Sequence, residues 1–501
     1  MQSKIDELKN RLYEINAIDS AAGLMNWDQL VFMPPGANAA RSRHLSVLAR
    51  LSQEKFTDPA IGHLLDDLEP YAATLPYESL DAALVRFTRR IYDRAVKVPP
   101  AFMEKLSGHL SDTYQKWTAA RPANNFELVR PALEKTLDFS RQVAEFFPGY
   151  EHIADPLINF HDYGMQASSV RKVFAGLRAQ LVPLVKAITA HPPADDSFLR
   201  VRFPEQGQWD FGMQVAREIG FDFECGRQDK SPHPFTTSFS MQDVRITTRI
   251  DEFNFIDALF STIHECGHGM YEQGVRVDLD GLPLDGGISS GVHESQSRLW
   301  ENIVGRSKPF WQHYYPQLQA IFPEQLKHIS MEQYHRAINK VIPSLIRTDA
   351  DEVTYNLHVM LRFELELELL EGKLEVRHLP QAWNDRYRSD LGVTPPGDRE
   401  GCLQDVHWYG GLIGGAFQGY ALGNIMSAAF YEAALQAHPE IPAEIAQGKF
   451  STLLGWLREN IYQYGRIYTA DEMVQRITGG PLRMEPYMNY LRARFGELYE
   501  I

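Results

Sequence analysis

The run Phe255-Ile-Asp-Ala-Leu259-Phe-Ser-Thr-Ile263-His264-Glu265-Cys266-Gly267-His268 is the most informative stretch of the 501-residue chain. Phe255, Leu259 and Ile263 recur every four residues, as on one face of an α-helix, and Gly274 supplies a stop. On such a helix His264 and His268 share a face, so both imidazoles can reach one cation. Glu265, one residue after the first histidine, approaches a water on that cation from the side. The apolar stripe leading into the motif dries the site and strengthens its electrostatics.

A catalytic zinc site keeps three protein ligands and leaves a fourth position for water, so a third ligand is expected downstream. His293-Glu294-Ser295-Gln296 follows a glycine-rich loop (Gly281, Gly286, Gly287, Gly291) and opens a helical run through Leu299 and Trp300. That loop lets a second helix fold back on the first with Glu294 toward the ion. His293 is the rival ligand on spacing, and Glu294 could instead stabilise a helix N-terminus. Cys266 points off the histidine face and reads as packing.

Outward from the motif, Val244, Ile246, Thr248 and Ile250 alternate with Arg245, Thr247 and Arg249, a period of two. Thr236 to Met241 precedes them with Gln242-Asp243 as the turn, which predicts a hairpin. Leu345 to Leu370 reads as one long helix, with Glu364, Glu366 and Glu368 as a solvated face. At the other end Ile5, Leu8, Leu12 and Ile15 fall on a helical period, broken at Asn26-Trp27-Asp28 and Met33-Pro34-Pro35-Gly36. Helical periodicity resumes near residue 39 and dominates to about 190. His191-Pro192-Pro193-Ala194-Asp195-Asp196 is the best linker, dividing a helical N-terminal part, about 1–195, from a catalytic part, about 196–501. The fold class is mainly α with one small β-sheet.

With 50 Lys+Arg against 65 Asp+Glu, the formal charge is −15, a surface that repels phosphate backbones and anionic lipid. Nucleic acid and membrane are therefore not expected partners. Three cysteines, Cys225, Cys266 and Cys402, are too few and too scattered for a disulfide framework. The N-terminus lacks the apolar core of a secretory signal, so a cytoplasmic location is expected.

A set of ordered motifs resembles the carboxypeptidase Taq family of metallopeptidases. His233-Pro234-Phe235 is similar to its H-P-F element and Asp243-Val-Arg245-Ile-Thr247 to its D-x-R-x-T. His264 to His268 matches its H-E-x-x-H, and His293-Glu294-Ser295-Gln296 its H-E-S-Q. Ile346-Arg347-Thr-Asp-Ala350-Asp351 and Gly401-Cys-Leu-Gln404-Asp405-Val-His407-Trp408 match I-R-x-x-A-D and G-x-x-Q-D-x-H-W. The likeness spans nearly the whole chain. It implies a single peptidase domain over 1–501, two-lobed around a deep central cleft as in neurolysin-like and angiotensin-converting-enzyme-type peptidases. It also implies a homodimer, a zinc or cobalt ion, and removal of single residues from peptide C-termini with broad side-chain preference. One departure is visible. The family's Tyr-Phe-Pro-x-Tyr element reads Ala416-Phe417-Gln418-Gly419-Tyr420 here, which bears on the substrate channel rather than on the metal.

In that frame the ion is expected to polarise the scissile carbonyl and activate a water, with Glu265 as general base and then acid. The family motifs make Tyr420 and His407 the expected donors to the carbonyl oxygen. Arg347 is the expected clamp on the substrate's terminal carboxylate, since a guanidinium grips two oxygens and stays charged. It could instead pair with Asp351, four residues on. Arg245 and His233 are further substrate-side candidates, although Arg245 could simply hold the hairpin through Asp243 and His233 could orient its own segment. The hairpin could bind peptide by strand addition. The rival readings are an oligoendopeptidase on a related fold and a non-catalytic peptide-binding protein.

Overall fold

The computed structural model describes residues 1–501. It is mainly α-helical with one three-stranded sheet. Helix α1 (Gln2–Val31) buries Ile5, Leu8, Leu12 and Ile15, the stripe their spacing predicts. The expected break at Asn26-Trp27-Asp28 does not occur. Trp27 is buried under the guanidinium of Arg245, 4.3 Å from ring to Cζ, and this packing overrides weak local propensity. The helix ends before Pro34 and Pro35, which cannot donate to a continuing ladder.

Helices continue to Thr189, among them α2 (Leu80–Lys97), whose N-terminal Ala82 N–H is capped by the Ser79 hydroxyl. The segment from His191 to Asp196 joins two elements without regular structure of its own. One contiguous set of buried apolar side chains nevertheless runs from Ile5 to Tyr499 across it.

In the sheet, β3 (Asp243–Thr248) is central, antiparallel to β2 (Thr236–Ser240) and parallel to β1 (Gly226–Lys230). The hairpin is as expected, except that Met241-Gln242 form its turn and Asp243 already belongs to β3. The alternation holds at Val244 and Ile246, both fully buried. Thr247 on the other face is buried too, because its hydroxyl accepts from Ser231 Oγ and Phe235 N–H. β1 escaped the sequence reading because Gly-Arg-Gln-Asp-Lys contains no β-branched or aromatic residue.

The sheet docks on helix α3 (Phe255–Gln273) through hydroxyls: Thr248 Oγ1 donates to Ala258 O, and Thr262 Oγ1 to Thr248 Oγ1, at 3.2 and 3.1 Å. Helix α4 (Ser290–Arg298), capped by Ser289, runs on into a π-helical turn at Leu299–Val304. The long helix expected from Leu345 begins only at Tyr355, as α5 (Tyr355–Leu370). Residues Arg347–Asp349 form a lone 3₁₀ turn instead. The N–H of Arg347 is taken by Gln404 Oε1, and the Asp351 carboxylate caps the N–H groups of Val353 and Thr354. Nor is the acidic run on α5 a solvated face. Glu366 is fully buried and accepts from Trp408 Nε1 at 2.7 Å, while Glu364 and Glu368 pair with Arg386. Helix α6 (Gln418–Ala437) packs across α4, with Gly423 so close that a Cβ there would lie 2.7 Å from Glu294 Cβ.

Candidate metal centre

Helix α3 presents His264 and His268 on one face, as their spacing predicts. The helix that answers them is brought in at Gly267, where a Cβ would sit 2.6 Å from Ser297 Cα and 2.7 Å from Gln296 O. The absence of a side chain inside the H-E-x-x-H motif thus sets how closely α4 approaches. At that approach Glu294 Oε2 lies 3.8 Å from His264 Nε2 and 3.5 Å from His268 Nε2. One ligand atom from each of the three residues falls within 4.8 Å of the others. Bonds of about 2.1 Å in a tetrahedral site put donor atoms roughly 3.4 Å apart, so the set fits a zinc-class divalent ion. Cys266 is buried outside this group, its thiol pushed well up by burial and by Glu265.

Each of the three is held from behind. His264 Nδ1 lies 2.9 Å from Glu301 Oε2. His268 Nδ1 lies 2.6 Å from His293 Nδ1, whose Nε2 lies 2.6 Å from Glu272 Oε1. His293, the rival ligand on spacing, therefore stands behind His268 rather than beside it. Arg298 Nε donates to Glu294 Oε1 at 2.7 Å and Arg298 Nη1 to Glu301 Oε2 at 3.1 Å, while Glu294 Oε2 accepts from Ser297 Oγ at 3.2 Å and faces the imidazoles. Glu301 sits on the π turn, a wider turn that recurs at functional sites.

The electrostatics follow from this packing. Burial opposes the charge on Glu294, but Arg298 and the two imidazoles outweigh it and hold its carboxyl well below the ordinary range. Burial likewise opposes ionisation of Glu301, and Arg298 and His264 still draw its pKa down to about 2. For His264, burial disfavours the charged ring, yet Glu294 and Glu301 raise its proton affinity overall. Burial dominates at His268 and lowers it. An ionised carboxylate beside imidazoles whose protons a metal must displace is a ligand-ready set.

Glu265 is placed by the sheet. Thr236, the first residue of β2, has Oγ1 at 2.6 Å from Glu265 Oε2 and 3.1 Å from its carbonyl oxygen.

Arg347 is buried and does not pair with Asp351. Its Nε and Nη2 donate to Asp405, Nη2 to Oδ1 at 2.9 Å, and its Nη1 donates to Tyr355 Oη at 3.0 Å. Asp405 is shared with the fully buried Arg362, and burial of its carboxyl is outweighed by these two guanidiniums, which hold it far below the ordinary range. Tyr355 links the two halves of the site: Arg298 Cζ lies 4.5 Å above its ring while its hydroxyl meets Arg347. Tyr420 packs beside Arg347, 5.2 Å from Cζ to ring, with its hydroxyl 3.4 Å from His407 Nε2. Burial pushes the Tyr420 hydroxyl up to about 12 and, with Arg347, lowers His407 to about 4. Both are thus neutral hydrogen-bonding groups near pH 7.

Arg245 and His233 lie apart from this cluster. Arg245 grips Asp243 at 2.8 and 2.9 Å and lies over the Trp27 and Phe239 rings, and so fastens α1 to the hairpin. His233 is exposed, its Nδ1 2.7 Å from the carbonyl oxygen of Pro234. Sequence reasoning missed Thr236, Glu272, Arg298, Glu301 and the partnership of Arg362 with Asp405. Glu272 and Arg298 were within reach, each four residues beyond a ligand on the same helix. Glu301 repeats the Glu294 face seven residues on, and the others lie across tertiary contacts.

The description "Carboxypeptidase Taq (M32) metallopeptidase" fits residues 7–495 of the chain. The chain is 37% identical over 492 residues to thermostable carboxypeptidase 1 of Thermus thermophilus, covering 96% of each protein. It superposes on the M32 carboxypeptidase of Deinococcus radiodurans with a TM-score of 0.97 at 48% identity, covering 100% of both chains. The carboxypeptidase of Pyrococcus furiosus gives a TM-score of 0.95 at 32% identity over 98% of this chain and 99% of that one. Fold, sequence and the paired-histidine helix agree: this chain belongs to the carboxypeptidase Taq (M32) family of metallopeptidases.

Proposed function

We propose that this metallocarboxypeptidase removes single residues from the C-termini of peptides, with broad preference for the departing side chain. The observation that carries the reading is the pairing of a metal-ready His264, His268, Glu294 cluster with a buried guanidinium, Arg347, tied to it through Tyr355. A divalent ion held by those three residues, Zn²⁺ by its fit to two imidazoles and a carboxylate or Co²⁺ on the same ligands, supplies Lewis acidity at the scissile carbonyl and an acidified water.

Glu265 takes the proton of the attacking water on its carboxylate and delivers it to the leaving amine nitrogen. Thr236 fixes the direction in which that carboxylate points. Arg347 binds the terminal carboxylate of the substrate. Of its five N–H groups, three are engaged by Asp405 and Tyr355, leaving one on each terminal nitrogen. Tyr420, protonated at neutral pH, and the neutral His407 donate to the carbonyl oxygen as charge develops there. β2 is an edge strand of the sheet, and outside Phe239, whose carbonyl oxygen accepts from Ser20 Oγ of α1, its edge offers main-chain hydrogen bonds to an extended peptide. His233 and Arg245 act on substrate only indirectly, by shaping that hairpin.

The core continuous from Ile5 to Tyr499 supports reading residues 1–501 as one peptidase domain. Three free cysteines support a cytoplasmic setting, no helix is long and apolar enough to cross a membrane, and the family likeness supports a homodimer. The deciding experiment is mass-spectrometric sequencing of a peptide with a free or an amidated C-terminus, using wild type and Glu265→Gln. Stepwise loss from the free peptide, none from the amidated one, and an inactive variant with full metal content are expected. Internal cleavage of the amidated peptide at an equal rate would sink the proposal.

A further inference from the structure

Helix α2 carries arginines in two different situations. Arg89, on one face, is surrounded by Asp66, Glu69 and Asp93, at 2.5 to 3.4 Å. Arg86, Arg90 and Arg94, spaced i, i+4, i+8 on another face, have no carboxylate partner. Arg86 donates to the carbonyl oxygens of Tyr77 and Ile467. Arg90 and Arg94 have only aromatic rings beneath them: Arg90 Cζ lies 4.0 Å from the Tyr163 ring and 4.5 Å from Phe87, and Arg94 Cζ lies 4.9 Å from Phe160. Like charges four residues apart destabilise a helix, and partly buried guanidiniums without a counter-charge are costlier still. In a chain of net charge −15, neighbouring carboxylates are abundant, yet none is turned toward this pair.

The loop beneath the stripe is hydrogen-bonded to α4, the helix that carries Glu294. Phe160 and Tyr163, the rings under Arg94 and Arg90, bracket His161 and Asp162. His161 O accepts from Ser290 N–H at 3.0 Å, and Asp162 Oδ1 from Gly291 N–H at 2.8 Å. These are the first two residues of α4, four and three before Glu294. Asp162 Oδ2 also accepts from Gln418 Nε2 at 2.9 Å, at the start of the helix that bears Tyr420. His161 and Tyr163 are open to solvent.

We propose that Arg90 and Arg94 form a subsite for acidic side chains of the substrate upstream of the bond being cut, so that peptides rich in Asp and Glu are the preferred substrates. A guanidinium lying flat on an aromatic ring keeps its edge N–H groups free for a carboxylate. From Arg90 to Arg94 the helix rises about 6 Å, which matches about two residues of extended chain. Only the upstream part of a carboxypeptidase substrate has that length, since a single residue lies beyond the scissile bond. The stripe also offsets, at short range, the repulsion that this acidic protein exerts on an acidic peptide.

This inference rests on the carboxypeptidase reading, and its test separates the two. Peptides of equal length and identical last two residues, with either Glu or Gln at every upstream position, are compared by kcat/KM at low and moderate salt. For the wild type, the Glu peptide should be favoured by about tenfold, less as salt rises. The ratio should fall close to one in Arg90→Gln/Arg94→Gln, through loss on the Glu peptide, and be kept in Arg90→Lys/Arg94→Lys. Unfolding midpoints and bound metal of the variants check their fold. A wild-type ratio near one, or a ratio unchanged in the Gln variant, overturns the acidic subsite while leaving the carboxypeptidase standing. Failure to shorten either peptide would instead overturn the parent reading.

Discussion

Thr236 Oγ1 donates a 2.6 Å hydrogen bond to Oε2 of Glu265, joining the edge strand of the sheet to the proposed catalytic base. The two residues lie 29 apart in sequence. A carboxylate without that partner keeps its chemistry but samples more directions.

Thr236→Val is therefore expected to lower kcat by about tenfold, the scale of one orienting hydrogen bond. Metal content should stay at the wild-type level, and Thr236→Ser should recover most of the rate. Steady-state kinetics beside elemental analysis checks this, and wild-type kcat in the valine variant would remove Thr236 from the mechanism.

Gly267→Ala places a methyl 2.6 Å from Ser297 Cα, a backbone atom that cannot step aside. Helix α4 must shift and take Glu294 with it. A stability loss of about 1–3 kcal/mol, the usual cost of overpacking, is expected together with weaker metal retention. Denaturant unfolding and dialysis against a competing chelator would read the two effects separately.

Glu301→Gln keeps the shape behind His264 but removes the charge that orients the ring and raises its basicity. Partners of this kind are worth about 10–100-fold in metal affinity, and a drop in that range is expected in competition titrations. An unchanged dissociation constant would show that α3 alone aims the imidazole.

The fully buried Glu366 carries a pH signature. Burial raises its pKa from 4.5 to about 7, so between these values the folded state binds a proton that the unfolded chain has released. Its contribution is fully present below about pH 4.5, falls as pH rises, and levels off above about 7. The accumulated loss is on the order of 3 kcal/mol. Glu366→Gln, which can still accept from Trp408 Nε1, should remove that slope. Unfolding free energies of both proteins at pH 5 and pH 8 test it: a gap between the two that does not widen with pH would mean the carboxyl ionises freely.

The periods in the sequence carried the local facts. Ile5 to Ile15, the 244–246 alternation and the histidine pair were legible because each repeats at a distance fixed by its own element. Glu301 lies seven residues beyond Glu294, on the same helical face, but nothing local marks it as the partner of His264, which reaches it only across a tertiary contact. Trp27 looked like a break and is a packing residue, because its partner Arg245 lies 218 positions away. The long helix expected from Leu345 starts late because the Asp351 carboxylate caps the N–H groups of Val353 and Thr354 and fixes the first turn there.

The sequence alone determined that one helix carries His264 and His268 on a single face with Glu265 between them, and which motif segments should meet it. Helical geometry decides which side chains share a face, and no partner is needed for that. Only the tertiary structure decided that His293 stands behind His268, that Arg347 answers to Asp405 rather than Asp351, and that Arg90 and Arg94 are left without carboxylates. Those outcomes depend on which distant groups arrive at contact distance, and periodicity within one element does not encode that.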